Sequence, residues 1–80
     1  MSPRLAPVKR YRLVAVLQMN GLELIPGRGK GSHEWYEHPE DPTRHAPVPR
    51  RREIDGRLLS AILAQSGKTR EEFFAHLREV

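Results

Sequence analysis

Proline sets the outline of this chain. Pro26, Pro39, Pro42 and Pro47 fall in its middle part, where a helix or a central strand does not tolerate their fixed φ and missing N–H. That part must be short strands and turns, which confines helices to the two flanks. From Lys9, Leu13, Val16 and Leu17 recur at i, i+3 and i+4 while Arg10, Arg12 and Gln18 supply polar positions. This predicts a helix, ended by Asn20-Gly21 because glycine accepts the left-handed turn that closes helices. Leu22-Glu23-Leu24 alternates as a strand and stops at Pro26. A glycine-rich loop, Gly27-Arg28-Gly29-Lys30-Gly31, leads to a second strand over residues 32–38, which carries Trp35 and Tyr36. Pro39-Glu40-Asp41-Pro42 is turn chemistry, and residues 43–48 form a third strand that Pro47 places at an edge.

The last third returns to helical spacing. Asp55 caps a helix with Leu58, Leu59, Ile62 and Leu63 on one face, and Gly67 ends it. Thr69-Arg70-Glu71-Glu72 is a capping box opening a short final helix, with Phe73 and Leu77 at i and i+4. The expected class is α+β: helix, three-stranded antiparallel sheet, helix and short C-terminal helix, the sheet covered on one face. Residues 1–8 read as a flexible arm and 9–80 as a single domain.

Eighty residues support one modest core, burying roughly 60–65% of the surface the unfolded chain exposes. That leaves no room for a roomy substrate cleft, so chemistry falls to surface residues. The absence of cysteine removes disulfides, thiol catalysis and thiolate zinc sites. No apolar run nears the ~18–20 residues of a membrane span, and residues 1–7 have no signal-peptide character. The expectation is a soluble, cytoplasmic protein without a membrane partner. The formal net charge is +4, and arginine far outnumbers lysine. The cations gather around Arg28 and Lys30 and again at Arg50-Arg51-Arg52, with Arg44 and Arg57 on either side. Planar guanidinium forks suit phosphate, so a polyanionic partner, nucleic acid or an acidic protein, is expected.

Four histidines are the side chains that titrate near neutrality without help. His33 follows Gly29-Lys30-Gly31-Ser32, where glycine amides can face an anion, Arg28 or Lys30 can neutralise it, and Ser32 can add a hydroxyl. The spacing is not that of a nucleotide-binding P-loop, and Gly-x-Gly-x-Gly alone is a weak signal. Read alone, the loop is most economically a hairpin connection with an exposed histidine. His38 sits at a turn, and His76 lies on the final helix. His45, beside Arg44, can share a surface with His33. His33, His38 and His45 lie on adjacent strands, yet no carboxylate pair completes a ligand spacing, and neither metal nor cofactor is expected. Trp35 and Tyr36 can stack on bases, though at least one belongs to the core. A regular strand puts His33 and Trp35 on one face, so a buried Trp35 would turn His33 inward unless the chain is irregular near Gly31.

Asn20-Gly21-Leu22-Glu23-Leu24 followed by Gly29-Lys30-Gly31-Ser32-His33 resembles the HicA-type toxins, the small mRNA interferases of bacterial toxin–antitoxin pairs. The likeness continues through His38-Pro39, Val48-Pro49, Glu53-Ile54, Leu59-x-x-Ile62-Leu63-x-x-x-Gly67 and Thr69-Arg70-Glu71-Glu72-Phe73. It runs in family order over roughly residues 9–77. The resemblance implies a fold like double-stranded-RNA-binding domains, an mRNA substrate, a HicB-type antitoxin partner, and a catalytic role for His33. With RNA as the substrate, the basic clusters and the loop make Arg28, Lys30, Ser32, Arg44, Arg50 and Arg51 the expected RNA contacts. Where many family members resemble Val-Pro-x-His, this chain reads Val48-Pro49-Arg50-Arg51; Arg51 replaces the charge of that histidine but not its titration. Ser60 stands where the family often carries a basic residue.

Two other classes compete. A non-catalytic RNA-binding module would use the same basic surface. A helix-turn-helix DNA binder would use residues 58–66 and 69–77, but Glu71-Glu72 would then face phosphate and Phe73-Phe74 would open the recognition helix.

Overall fold

The computed structural model describes residues 5–29 and 31–80. In chain order the elements are β1 (Val8–Lys9), α1 (Arg10–Met19), β2 (Glu23–Ile25), β3 (His33–His38), β4 (Asp41–Pro49), β5 (Glu53–Ile54), α2 (Gly56–Ser66) and α3 (Arg70–Leu77). The expected α+β architecture is present. β2, β3 and β4 form one antiparallel sheet in that order, with β4 at an edge as its prolines require.

Side-chain alternation divides the sheet into two faces. Tyr36, Ala46 and Val48 are buried, with Tyr36 opposite Ala46 on β4. They join Leu13, Val16 and Leu17 of α1, Leu59, Ile62 and Leu63 of α2, and Phe73 of α3 in one core. The alternate positions, Ile25, His33, Trp35, His45 and Pro47, remain partly exposed on the other face. Tyr36 is thus the core aromatic and Trp35 is not. His33 and Trp35 do share a face, the open one, and no irregularity near Gly31 is needed.

The helix ends follow their local chemistry. Asp55 accepts a 2.9 Å bond from the Leu58 amide, and Gly67, at φ 81°, closes α2. The Thr69–Glu72 capping box is complete. α1 has no side-chain cap; instead its Arg10 amide donates to the Arg52 carbonyl at 2.9 Å.

Several boundaries differ from those expected. Residues 1–4 of the expected arm lie outside the described residues, and residues 5–8 are not loose. Leu5 and Val8 are buried, and Val8–Lys9 pairs antiparallel with Glu53–Ile54. The Leu5 carbonyl fills the space a β-carbon would take at Gly56, so the segment lies directly against the start of α2. Two-residue strands carry no periodicity, which is why β1 and β5 escape sequence reading. β2 is displaced by one residue toward Ile25, and β4 starts at Asp41 because an edge strand can hold Pro42.

Candidate active site

His33 opens β3 directly after the glycine-rich loop, and three features hold its backbone. Opposite it lies Pro49, the last residue of β4. The Arg50 amide donates to the Ser32 carbonyl at 2.7 Å, fastening the end of β4 to the loop. Gly29 packs so closely on the His33 carbonyl and the Glu34 backbone that a β-carbon there would collide with main chain. Glycine is needed at this position for close approach rather than for a left-handed turn.

Beside His33 is a cleft of about 240 Å³, lined by Ile25, Pro26, Gly29, Trp35 and Arg50 among others. Apolar Ile25, Pro26 and Trp35 meet His33, Glu34 and Arg50 on its wall, which is more polar than apolar. Trp35 is held firmly: its Nε1 donates to Glu37 Oε1 at 3.0 Å, and its ring stacks on His45 at 4.6 Å between centroids and 11° between planes. The Arg28 guanidinium stands 5.4 Å from the Trp35 ring centroid, with Nη1 3.6 Å from Glu37 Oε1.

The residues expected to bind RNA therefore do not form one continuous group. Arg50 shares the cleft with His33, and exposed Ser32 adjoins it. Arg28 lies one pleat away, over Trp35. Arg51 is exposed on the segment that follows β4. Arg44 is separate: from the helix side of the sheet its Nε donates to the Ser66 carbonyl at 3.1 Å, and its side chain lies against Gly67. It is committed to the C-terminus of α2, where a cation complements the helix dipole. Lys30 lies outside the described residues.

The other histidines are engaged elsewhere. His38 Nδ1 accepts from the Glu40 amide at 3.1 Å, and the other ring nitrogen faces Gly21. His45 is stacked under Trp35, and His76 Nδ1 lies 3.2 Å from the Asn20 side-chain amide. His33, His38 and His45 do not converge, and among the described residues no three His, Asp or Glu side chains are grouped as metal ligands would be.

Sequence reasoning missed Arg10, read there only as a polar position of a helix. Its Nε donates to the Pro49 carbonyl at 2.9 Å, and its guanidinium also pairs with Glu34. With its amide on Arg52, one residue joins α1 to the start of β3, the end of β4 and the segment leading to β5. Both side chains of the ion pair are largely buried, so solvent screens it less than a surface pair. A positive charge at a helix start opposes the dipole, so this placement follows from the partners around it.

Fold and site together define a small α+β protein of the double-stranded-RNA-binding-domain-like kind, with a histidine and an arginine meeting at one corner of an open sheet face. The family described as HicA toxin of bacterial toxin–antitoxin matches residues 11–68, and the chain belongs to that family. It is accordingly a toxin of a toxin–antitoxin pair, for which membership implies an antitoxin partner. No curated protein matches the chain significantly. Among the described residues, no helix is long and apolar enough to cross a membrane.

Proposed function

We propose that this toxin is a metal-independent endoribonuclease acting on mRNA in the cytoplasm, with His33 as general base. The observation that carries this reading is the shared cleft of His33 and Arg50, closed on one side by the Gly29 backbone. RNA brings its own nucleophile, so the demands on the protein are small. His33 takes the proton from a ribose 2′-OH, the 2′ oxygen attacks the adjacent phosphorus, and the P–O5′ bond breaks. A 2′,3′-cyclic phosphate and a 5′-OH result, the leaving oxygen taking its proton from water. Arg50 offsets the charge that develops on the phosphate, and Lys30 and Ser32 belong to the same proposed binding set with Arg28 and Arg51. A positioned base contributes about 10²–10⁴-fold, enough for a toxin that needs one cut per message. Exposed Arg51 and Arg52 beside the cleft suit a HicB-type antitoxin bearing an acidic patch.

The test is cleavage of a messenger transcript by purified protein in EDTA. His33→Ala should lower the rate by about 10²-fold or more, and a 2′-deoxy substitution at the cut should block it. Undiminished cleavage by His33→Ala removes His33 from the mechanism, and equal cutting of the deoxy substrate removes 2′-OH attack. Arg51, standing where the family pattern has a histidine, favours a second reading in which the surface holds RNA uncut. Binding by wild type without any cleavage establishes that one.

A further inference from the structure

We infer that the cleft beside His33 is a nucleobase subsite in which one base of the bound RNA packs against Trp35; this rests on RNA being the ligand. Three independent features of the cleft point to a base rather than to phosphate alone. Within a wall that is otherwise polar, Ile25, Pro26 and Trp35 form an apolar portion, which a sugar–phosphate backbone does not require. Its volume, about 240 Å³, falls below that of drug-sized ligand sites and suits a single planar ring system. Trp35 is preorganised: a hydrogen bond to Glu37 sets the ring plane, and His45 backs one face in a near-parallel stack. An aromatic ring held this way loses little freedom on binding, which is where much of the cost of recognition arises.

Position along the strand adds a further argument. His33 and Trp35 are two residues apart on one face of β3, so their side chains are roughly 6–7 Å apart along the strand. That separation lets a base rest on Trp35 while a neighbouring phosphate lies between His33 and Arg50. Arg28 completes the subsite. Its side chain is 57% exposed and lies 5.4 Å off the indole. Arg28 already lies over the indole, so an entering base displaces it, and the freed guanidinium can then stack on the base as it did on tryptophan. Trp35 is therefore a binding and orienting residue that positions one nucleotide relative to His33.

The experiment uses the fact that Trp35 is the only tryptophan in the chain, so tryptophan emission, excited selectively over Tyr11 and Tyr36, reports on this cleft alone. The probes are a mixed-sequence 2′-fluoro RNA octamer, which lacks the attacking hydroxyl, and its fully abasic counterpart with the same phosphate charge. The base-containing octamer should quench Trp35 and bind about five-fold or more tighter than the abasic strand. In Trp35→Ala, followed by fluorescence anisotropy of a labelled octamer, that advantage should disappear while the salt dependence stays. Trp35→Phe should keep part of it, which guards against a fold defect in the alanine variant.

RNA binding with unchanged Trp35 emission, or equal affinity for the two strands, overturns the subsite while leaving the toxin an RNA binder. Quenching by neither strand leaves the cleft to a protein side chain and also overturns it. Base-dependent quenching in a protein that never cleaves RNA supports the subsite and sinks the nuclease reading. The two ideas therefore fail separately.

Discussion

Gly29 and Trp35 show how single residues shape this site. Gly29 has no room for a β-carbon because the His33–Glu34 backbone occupies that space, so a methyl group there must displace β3 where it carries His33. Gly29→Ala is expected to cost about 1–3 kcal/mol in stability, the range for overpacking against fixed structure. It should also lower RNA cleavage beyond what the lost stability explains. The checks are the denaturant midpoint and the cleavage rate under conditions where both proteins are folded; a neutral substitution would show that the loop is free of β3. Trp35 illustrates the limit of reading at this scale. The period of two placed His33 and Trp35 together, but it could not say which of Trp35 and Tyr36 was buried. Tyr36 is, because its strand face meets Ala46 and Val48 and the helices behind them, leaving the alternate face open.

Elements with local chemistry of their own were the most legible. α2 begins after its Asp55 cap and ends at Gly67, and α3 begins after Thr69, as their flanking residues dictate. These signals are legible because each is completed within three or four residues. The capping box also carries a pH dependence. Glu72 accepts from the Thr69 amide at 3.1 Å, and this bond, with the Thr69 hydroxyl and Lys68 nearby, holds its carboxyl below the ordinary value of 4.5. A depressed folded value means that the stabilisation is fully present above the unfolded pKa and fades as pH falls through the folded one. The advantage of wild type over Glu72→Gln should therefore shrink below about pH 4.5. Thermal midpoints of both proteins at pH 7 and pH 3 test this, and a gap of constant size would contradict it. Asp41, whose carboxyl is also held low, first by the Thr43 hydroxyl, is present in both proteins and cancels in the comparison. β1 and β5 were illegible for the opposite reason. These two-residue strands exist only because segments far apart in the chain are brought together, and nothing within either segment announces it.

At the scale of the whole molecule, Arg10 has the widest reach. It touches Glu34, the Pro49 carbonyl and the Arg52 carbonyl, three segments that are neighbours only in the folded chain. Arg10→Met, Glu34→Gln and the double variant form a cycle whose coupling should be about 0.5–1 kcal/mol, since both groups are mostly sheltered but not fully buried. Chemical denaturation measures it, and strict additivity would mean that the pair contributes nothing. The candidate site divides along the same line. His33, Arg28, Ser32 and Arg50 could be found in the sequence because the loop and the arginine run gather cations and a histidine in short windows. Arg44 reads as one more cation of that surface, but strand alternation turns it toward α2, where it serves the helix end. By itself the sequence determined the three helices, the strands of the main sheet, the caps of α2 and α3, the α+β class and the family, because each depends on spacing within a few residues. Only the tertiary structure decided which sheet face stays open, that His33 and Arg50 share a cleft walled by Trp35, and that Arg10 locks its rim. Those outcomes depend on strand register and on contacts between distant segments, and neither leaves a mark within a local window.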